Sequence, residues 1–215
     1  MDVKCVICGD LMRHYDKDLW VCQKCSLFSS NLKPDVSLYD KSYVVKYGRY
    51  ENTKLGKHIQ ATRLLFVRRW ATEGKLLDFG CGVGSFVKAC HGAVGFDINP
   101  YSDYCNIGTL FDKYHIVTFW DCLEHLTDPV KIIKGLNPEY LFVCTPSTDD
   151  SKTKLTEWRH YMPGEHVHYF NESSLRALLD KCGYEVFEVN YDESELRRGG
   201  GPKNILSMGG ALGKH

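Results

Sequence analysis

Asp78-Phe79-Gly80-Cys81-Gly82-Val83-Gly84 follows the apolar pair Leu76-Leu77. A second apolar run, Ala93-Val94-Gly95-Phe96, ends in Asp97. The spacing predicts a buried strand that turns sharply into a helix over residues 85–90, then a second strand. Glycine permits a positive φ and lets a ligand approach the main chain closely. An acid at the end of the second strand of such a unit can hold ribose hydroxyls. Together these residues form a nucleoside-binding half-site. Ser85 stands where a dinucleotide fingerprint would place its third glycine, so the pattern is Asp-x-Gly-x-Gly-x-Gly instead.

Cys5-x2-Cys8 and Cys22-x2-Cys25 lie thirteen residues apart. Two such pairs can set four thiolates tetrahedrally around one zinc ion. Gly9 follows the first pair, where a tight turn is needed. Four thiolates leave no open position for water, so the zinc would be structural. A segment of about thirty residues builds little core of its own, and the metal would supply folding energy.

The third chemical cluster is Trp158-Arg159-His160-Tyr161-Met162-Pro163-Gly164-Glu165-His166-Val167-His168-Tyr169-Phe170. It combines histidines, tyrosines and a glutamate just before a helix start at Asn171. Glu165 and His166 could form an acid–imidazole pair, although neighbours on a strand point to opposite faces. His166 and His168 share a face if the segment is extended. The alternative is that His168 and Tyr169 seat the last helix by hydrogen bonds.

The elements that must position these residues follow from periodicity. Three domains are expected: a zinc ribbon over 1–33, a linking helical segment over 34–52, and the main domain over 53–215. Tyr39, Tyr43, Tyr47 and Tyr50 share one face if their segment is helical. They are expected to pack the ribbon against the main domain; lining a pocket is the alternative, and Gly48 argues against one continuous helix. A helix over 53–71 precedes the glycine strand. After Asp97 a short helix over 101–105 and a third strand over 106–110 are expected. A strand over 114–120 then ends at Asp121. Asp128-Pro129 opens a helix, and residues 140–144 form another strand. Residues 147–154 read as a mobile loop over the site. A helix over 175–182 ends at Gly183, and strands over 184–191 and 204–208 close the chain. Strands alternating with helices argue for an α/β fold with a parallel sheet covered on both faces. The stretch 197–203, basic and glycine-rich, is expected to be a solvated hairpin; phosphate binding is the alternative. Residues 209–215 are expected to fray.

The Asp78–Gly84 pattern resembles the first motif of the class I S-adenosylmethionine-dependent methyltransferases. Phe119-Trp120-Asp121-Cys122-Leu123-Glu124-His125-Leu126 is similar to their fourth-strand motif. The Glu165–Phe170 stretch and the cysteine pairs resemble sugar C-methyltransferases of that superfamily, which carry an N-terminal zinc module. The resemblance implies a Rossmann-like parallel sheet with a terminal antiparallel strand. It implies S-adenosylmethionine held by Asp78, Gly80, Gly82, Gly84, Asp97 and Ile98, with Asp121 at the pocket. Glu124 and His125 would fix their loop. The family usually has a fuller helix and strand between Asp97 and Tyr114, where its adenine pocket is completed. Methyl transfer from a sulfonium is a direct displacement, and a base is needed only if the nucleophile must lose a proton. His166, with Glu165 beside it, is the expected base, and His168 the second choice.

Composition narrows the partners. Lys+Arg and Asp+Glu stand at 27 each in 215 residues. That balance gives no electrostatic case for sequence-independent nucleic-acid binding. Ten cysteines without a recognisable signal peptide suggest a reducing, cytoplasmic compartment, and no apolar run is long enough to span a membrane. The expected acceptor is small and polar, such as a nucleotide-linked sugar, with or without phosphate. Two alternatives remain: a nucleic-acid modifying methyltransferase, and a non-catalytic scaffold that keeps the cofactor fold.

Overall fold

The structure is a computed structural model, and it describes residues 2–104, 106–150, 154–197 and 204–212. Its centre is a six-stranded sheet. The strands are β4 (Leu76–Phe79), β5 (Val94–Phe96), β6 (Ile116–Trp120), β7 (Tyr140–Pro146), β9 (Tyr184–Asn190) and β10 (Asn204–Ala211), in the order β5-β4-β6-β7-β10-β9. The first four are mutually parallel, and β10 lies antiparallel between β7 and β9. An α/β sheet, mostly parallel with a terminal antiparallel strand, is the architecture the alternation of patterns implied.

Side chains alternate across these strands, and the two parities feed two cores. Leu77, Phe79, Val117, Phe119, Leu141 and Val143 pack with Ile133 of α4 (Pro129–Leu136) and Leu175, Leu178 and Leu179 of α5 (Glu172–Cys182). Leu76, Ile116, Trp120, Phe142 and Cys144 pack with Phe66 and Val67 of α2 (Lys54–Trp70) and Phe86 of α3 (Ser85–Ala89). Each main helix starts where its sequence says. Thr53 accepts from the Gly56 amide to cap α2. Asp128 accepts from the Lys131 amide, with Pro129 in the first turn of α4. Asn171 and Ser174 form a reciprocal capping box on α5, and Gly183 closes that helix at φ +88°.

The N-terminal segment forms β1 (Arg13–Asp16), β2 (Leu19–Val21) and β3 (Phe28–Ser30). These strands do not stand apart from the rest. β3 pairs antiparallel with β8 (His168–Tyr169), so the small sheet runs β1-β2-β3-β8. The Ser30 amide donates to the Val167 carbonyl at 2.8 Å, and the Asp35 amide to Gly164 at 2.7 Å. The ribbon therefore grips the main domain through the segment before α5. The four tyrosines do not make that junction. Tyr43, Tyr47 and Tyr50 lie on α1 (Lys41–Glu51), which continues through Gly48.

Between Asp97 and Tyr114 the expected helix and third strand are absent among the described residues. Ile107–Phe111 is a 3-10 turn instead, opened by the Asn106 side chain accepting from the Gly108 amide. Asparagine offers the backbone a local partner here, in competition with a strand ladder. β5 is thus the sheet edge. Residues 148–150 form a 3-10 turn, while 151–153 of the expected loop lie outside the described residues. Residues 192–196, for which the sequence predicts no element, form a short helix, α6 (Asp192–Leu196). Residues 198–203 of the stretch expected to form a basic hairpin lie outside the described residues. Gly209, Gly210 and Ala211 extend β10 rather than fraying. Among the described residues no helix is long and apolar enough to cross a membrane.

Candidate functional site

A cavity of about 940 Å³ opens at the carboxyl ends of β4, β5, β6 and β7, where ligands bind in such sheets. Asp78, Gly80, Gly82, Asp97, Ile98 and Asp121 all line it. Gly80 has φ +76°, and a Cβ there would collide with the Cys122 thiol. Gly84, at φ +74°, caps α3, and a Cβ on it would enter the Tyr104 ring. The glycines are required by close packing as well as by the turn. Gly84 itself does not line the cavity.

Asp97 braces the loop. Its Oδ2 accepts from the Gly82 amide and its Oδ1 from the Asn99 amide, both at 2.7 Å. Each oxygen keeps a lone pair for a further donor. Burial raises the Asp97 carboxyl above its ordinary range even so. Asp78 is buried at the end of β4 and accepts from the Thr118 hydroxyl at 2.7 Å. Burial pushes its carboxyl up to about 7. Nearby, Gln60 Oε1 and Glu51 Oε2 are buried acceptors with no hydrogen-bond partner among the described residues, and both residues line the cavity. Unfilled acceptors and carboxylates together suit a cationic ligand bearing N–H donors.

Asp121 lies at the end of β6 with φ +50°. Arg63 donates to it at 2.6 Å and Arg197 at 3.1 Å. Arg63 also grips Glu193 through Nε at 2.9 Å and Nη2 at 2.7 Å. Burial opposes the Asp121 charge, and the two guanidiniums outweigh it, holding the carboxyl down to about 2. Sequence reasoning missed this network. Its one signal was an arginine on the buried stripe of α2, between Ile59 and Phe66.

The histidine cluster divides. His166 lines the cavity, and its ring packs edge-on against His125 with centroids 4.7 Å apart. The Val167 amide donates to the Glu124 carbonyl at 2.7 Å, which holds the two segments together. Glu165 also lines the cavity, but its main-chain carbonyl, at 3.1 Å, faces His125 Nδ1. A carbonyl only accepts, so this contact calls for a proton on Nδ1, while the Tyr39 hydroxyl, 2.9 Å from the same nitrogen, can donate or accept. Burial lowers His125 to about 4 and His166 to about 3, the latter assisted by its histidine neighbours. Glu124 is buried beneath them; burial, then repulsion from Asp121, raises it to about 8. His168 points elsewhere. Its Nδ1 is 2.9 Å from the Ser29 hydroxyl and its Nε2 3.4 Å from the Thr127 carbonyl, and it does not line the cavity. The two histidines do not share a face, because β8 begins only at His168.

Tyr39, Tyr43, Tyr47 and Tyr50 line the cavity as well. The Tyr39 and Tyr43 ring centroids are 5.1 Å apart, those of Tyr43 and Tyr47 4.4 Å. They form an aromatic wall facing the site.

In the ribbon, the Sγ atoms of Cys5 and Cys25 are 3.5 Å apart, and those of Cys8 and Cys22 3.4 Å. All four lie within 4.8 Å of one another. The Gly9 amide returns to the Cys5 carbonyl and the Ser26 amide to that of Cys22, each at 2.9 Å. Two matching turns thus aim four thiols at one point.

A family model described as a methyltransferase domain matches residues 47–189. No curated protein matches the chain. Among solved structures, the complex between the Haloferax volcanii Trm112 methyltransferase activator and the putative methyltransferase aligns at TM-score 0.61 and 14% identity, over 84% of this chain and 99% of that one. A possible histamine N-methyltransferase from Thermotoga maritima aligns at 0.60 and 15%, over 80% and 98%. The magnesium protoporphyrin IX methyltransferase of Synechocystis, with bound S-adenosylhomocysteine, aligns at 0.58 and 16%, over 81% and 97%. At these identities the likeness is one of fold.

Proposed function

Because the chain belongs to the methyltransferase domain family, we propose that its cavity binds S-adenosylmethionine and transfers the methyl group to a small polar acceptor. One observation carries the reading: Asp97 braces the glycine loop while keeping acceptor capacity, as a ribose-binding acid must. Gly80, Gly82 and Ile98 border the same space. The unpartnered Gln60 and Glu51 oxygens, with Asp78, suit the ammonium and sulfonium charges of the donor. S-adenosylhomocysteine in a neighbour of the same fold is consistent with this.

The acceptor would lie against the tyrosine wall, Glu165 and His166. Aromatic faces beside hydroxyl, imidazole and carboxylate groups suit a sugar-like molecule, with apolar C–H faces and many hydroxyls. A nucleotide-linked sugar remains the leading acceptor. Its phosphate would find exposed Lys131 at the rim, since Arg63 and Arg197 already face carboxylates. His166, neutral over the working pH range, would accept or position the acceptor's proton-bearing group. His168 ties the ribbon strand to the main domain, a positioning role. The four cysteines would hold one zinc ion, which would fix the ribbon and, through β3 and β8, the segment bearing His166. Their thiol chemistry and mutual separation fit that ion.

Transfer of an isotopically labelled methyl group to a panel of nucleotide sugars, simple polyols and tRNA tests the reading. Label in a small polyhydroxylated acceptor is expected. Label only in tRNA would contradict the acceptor class, and label in none would favour a scaffold.

A further inference from the structure

Glu124, His125 and His166 each line the cavity, and each offers a ligand atom within 4.8 Å of the other two. Glu124 is only 2% exposed and forms no ion pair among the described residues; the Thr145 hydroxyl donates to its Oε2 at 3.0 Å. The comparable cluster of Asp121, Cys144 and Glu193 is different, because Arg63 and Arg197 already neutralise it. Here, among the described residues, no guanidinium pairs directly with the carboxylate, and Arg197 acts on it only from a distance. The imidazoles are prepared as electron-pair donors. With an Nδ1 proton donated to the Glu165 carbonyl, His125 has Nε2 free to bind an ion. The His166 ring packs edge-on against His125 with centroids 4.7 Å apart, which brings its nitrogens to the same point. A ring nitrogen donating to a carbonyl while its partner stays bare is the outer support that metal-binding histidines ordinarily have.

We propose that Glu124, His125 and His166 bind a divalent transition-metal ion of the zinc, iron(II) or manganese kind, separate from the ion of the four cysteines. Two nitrogens and one carboxylate favour such ions over magnesium or calcium, which prefer oxygen throughout. Three protein ligands leave coordination positions open, and here they open onto the cavity. Resting on the methyl-transfer reading, this makes the acceptor group a hydroxyl. The ion lowers the hydroxyl pKa and the proton passes to water. The oxygen then forms its bond to the methyl carbon as the carbon–sulfur bond breaks, with the electron pair staying on sulfur. In this arrangement His166 is a ligand, which replaces its role as proton acceptor, and no separate histidine base is required.

The test loads the full chain with excess cobalt(II) and counts ions by elemental analysis and absorption. Wild type should hold one cobalt with thiolate charge-transfer absorption and one without it. Glu124→Gln and His166→Ala should each lose the second ion and keep the first, whose thiolate band shows the variants folded. Absence of a non-thiolate ion in wild type, or its persistence in both variants, overturns the site. Calorimetric titration of the cobalt-loaded wild type with S-adenosylmethionine reports separately on the donor. Donor binding without the second ion defeats the metal site alone. The second ion without donor binding defeats the methyl-transfer reading alone.

Discussion

Asp97 and Asp78 stand 19 positions apart in the chain and share one pocket, yet their carboxyls do different work. Asp97 is braced by two amides. Asp78 has one hydroxyl partner and is the more deeply buried. Its folded-state pKa is raised from 3.8 to about 7, so its contribution to stability is fully present below pH 4 and is lost as pH rises through 7. Melting curves of wild type and Asp78→Asn should show this. The wild type should lose ground relative to the variant between pH 4 and 7, and parallel curves would contradict the burial argument. Arg63 carries a second expectation. Arg63→Ala removes one of the two guanidiniums from Asp121 and one of the two from Glu193, which is fully buried. Removing one partner of a buried ion pair costs about 3–5 kcal/mol, measurable by urea unfolding; a loss below about 1 kcal/mol, the range of exposed pairs, would mean the network is solvated. Both acids were legible because each ends an apolar run. Arg63 was not, because an arginine among lysines and arginines on an amphipathic helix reads as surface until its partners, 58 and 130 residues away, are folded against it.

At the scale of elements, the ribbon is bound to the site more closely than its cysteine spacing suggested. β3 pairs with β8, and His168 bridges the junction through Ser29. Nothing local could disclose a two-residue strand that exists only because a distant strand pairs with it. The tyrosine face was legible as a face, but which surface it met was a tertiary fact. The expected third strand failed where Asn106 and Gly108 close a turn. The two cysteine turns give a direct expectation. Gly9 takes φ +78° in the first, and Ser26 takes φ +62° at the equivalent place in the second. A left-handed conformation costs a non-glycine residue about 1–2 kcal/mol, and glycine returns part of it through its own flexibility when unfolded. Ser26→Gly should therefore stabilise the protein by roughly 1 kcal/mol in equilibrium unfolding. A destabilised variant would show that the Ser26 side chain, not the backbone, holds this turn.

The whole molecule is a sheet whose two parities of side chain bury two helical layers and whose strand ends open one large cavity. Loss of the third strand leaves β5 at the edge, beside the half of the cavity where Asp97, Ile98 and Asn99 lie. Ile98 is 64% exposed there, so bound adenine would cover apolar surface that now faces solvent. The sheet was legible because parallel strands buried on both faces read as plain apolar runs. The cavity was legible at its glycine end and at Asp121, Glu165 and His166; the tyrosine wall from α1 meets it only through tertiary packing. The central claim is that this cavity holds a sulfonium donor through Asp97. Calorimetric titration of the full chain with S-adenosylmethionine, and separately with NAD, tests it most directly. S-adenosylmethionine should bind and NAD should not, and Asp97→Ala should weaken binding by roughly tenfold or more, the loss of at least one charged hydrogen bond. Binding of NAD alone, or an affinity for S-adenosylmethionine unchanged by Asp97→Ala, would contradict it.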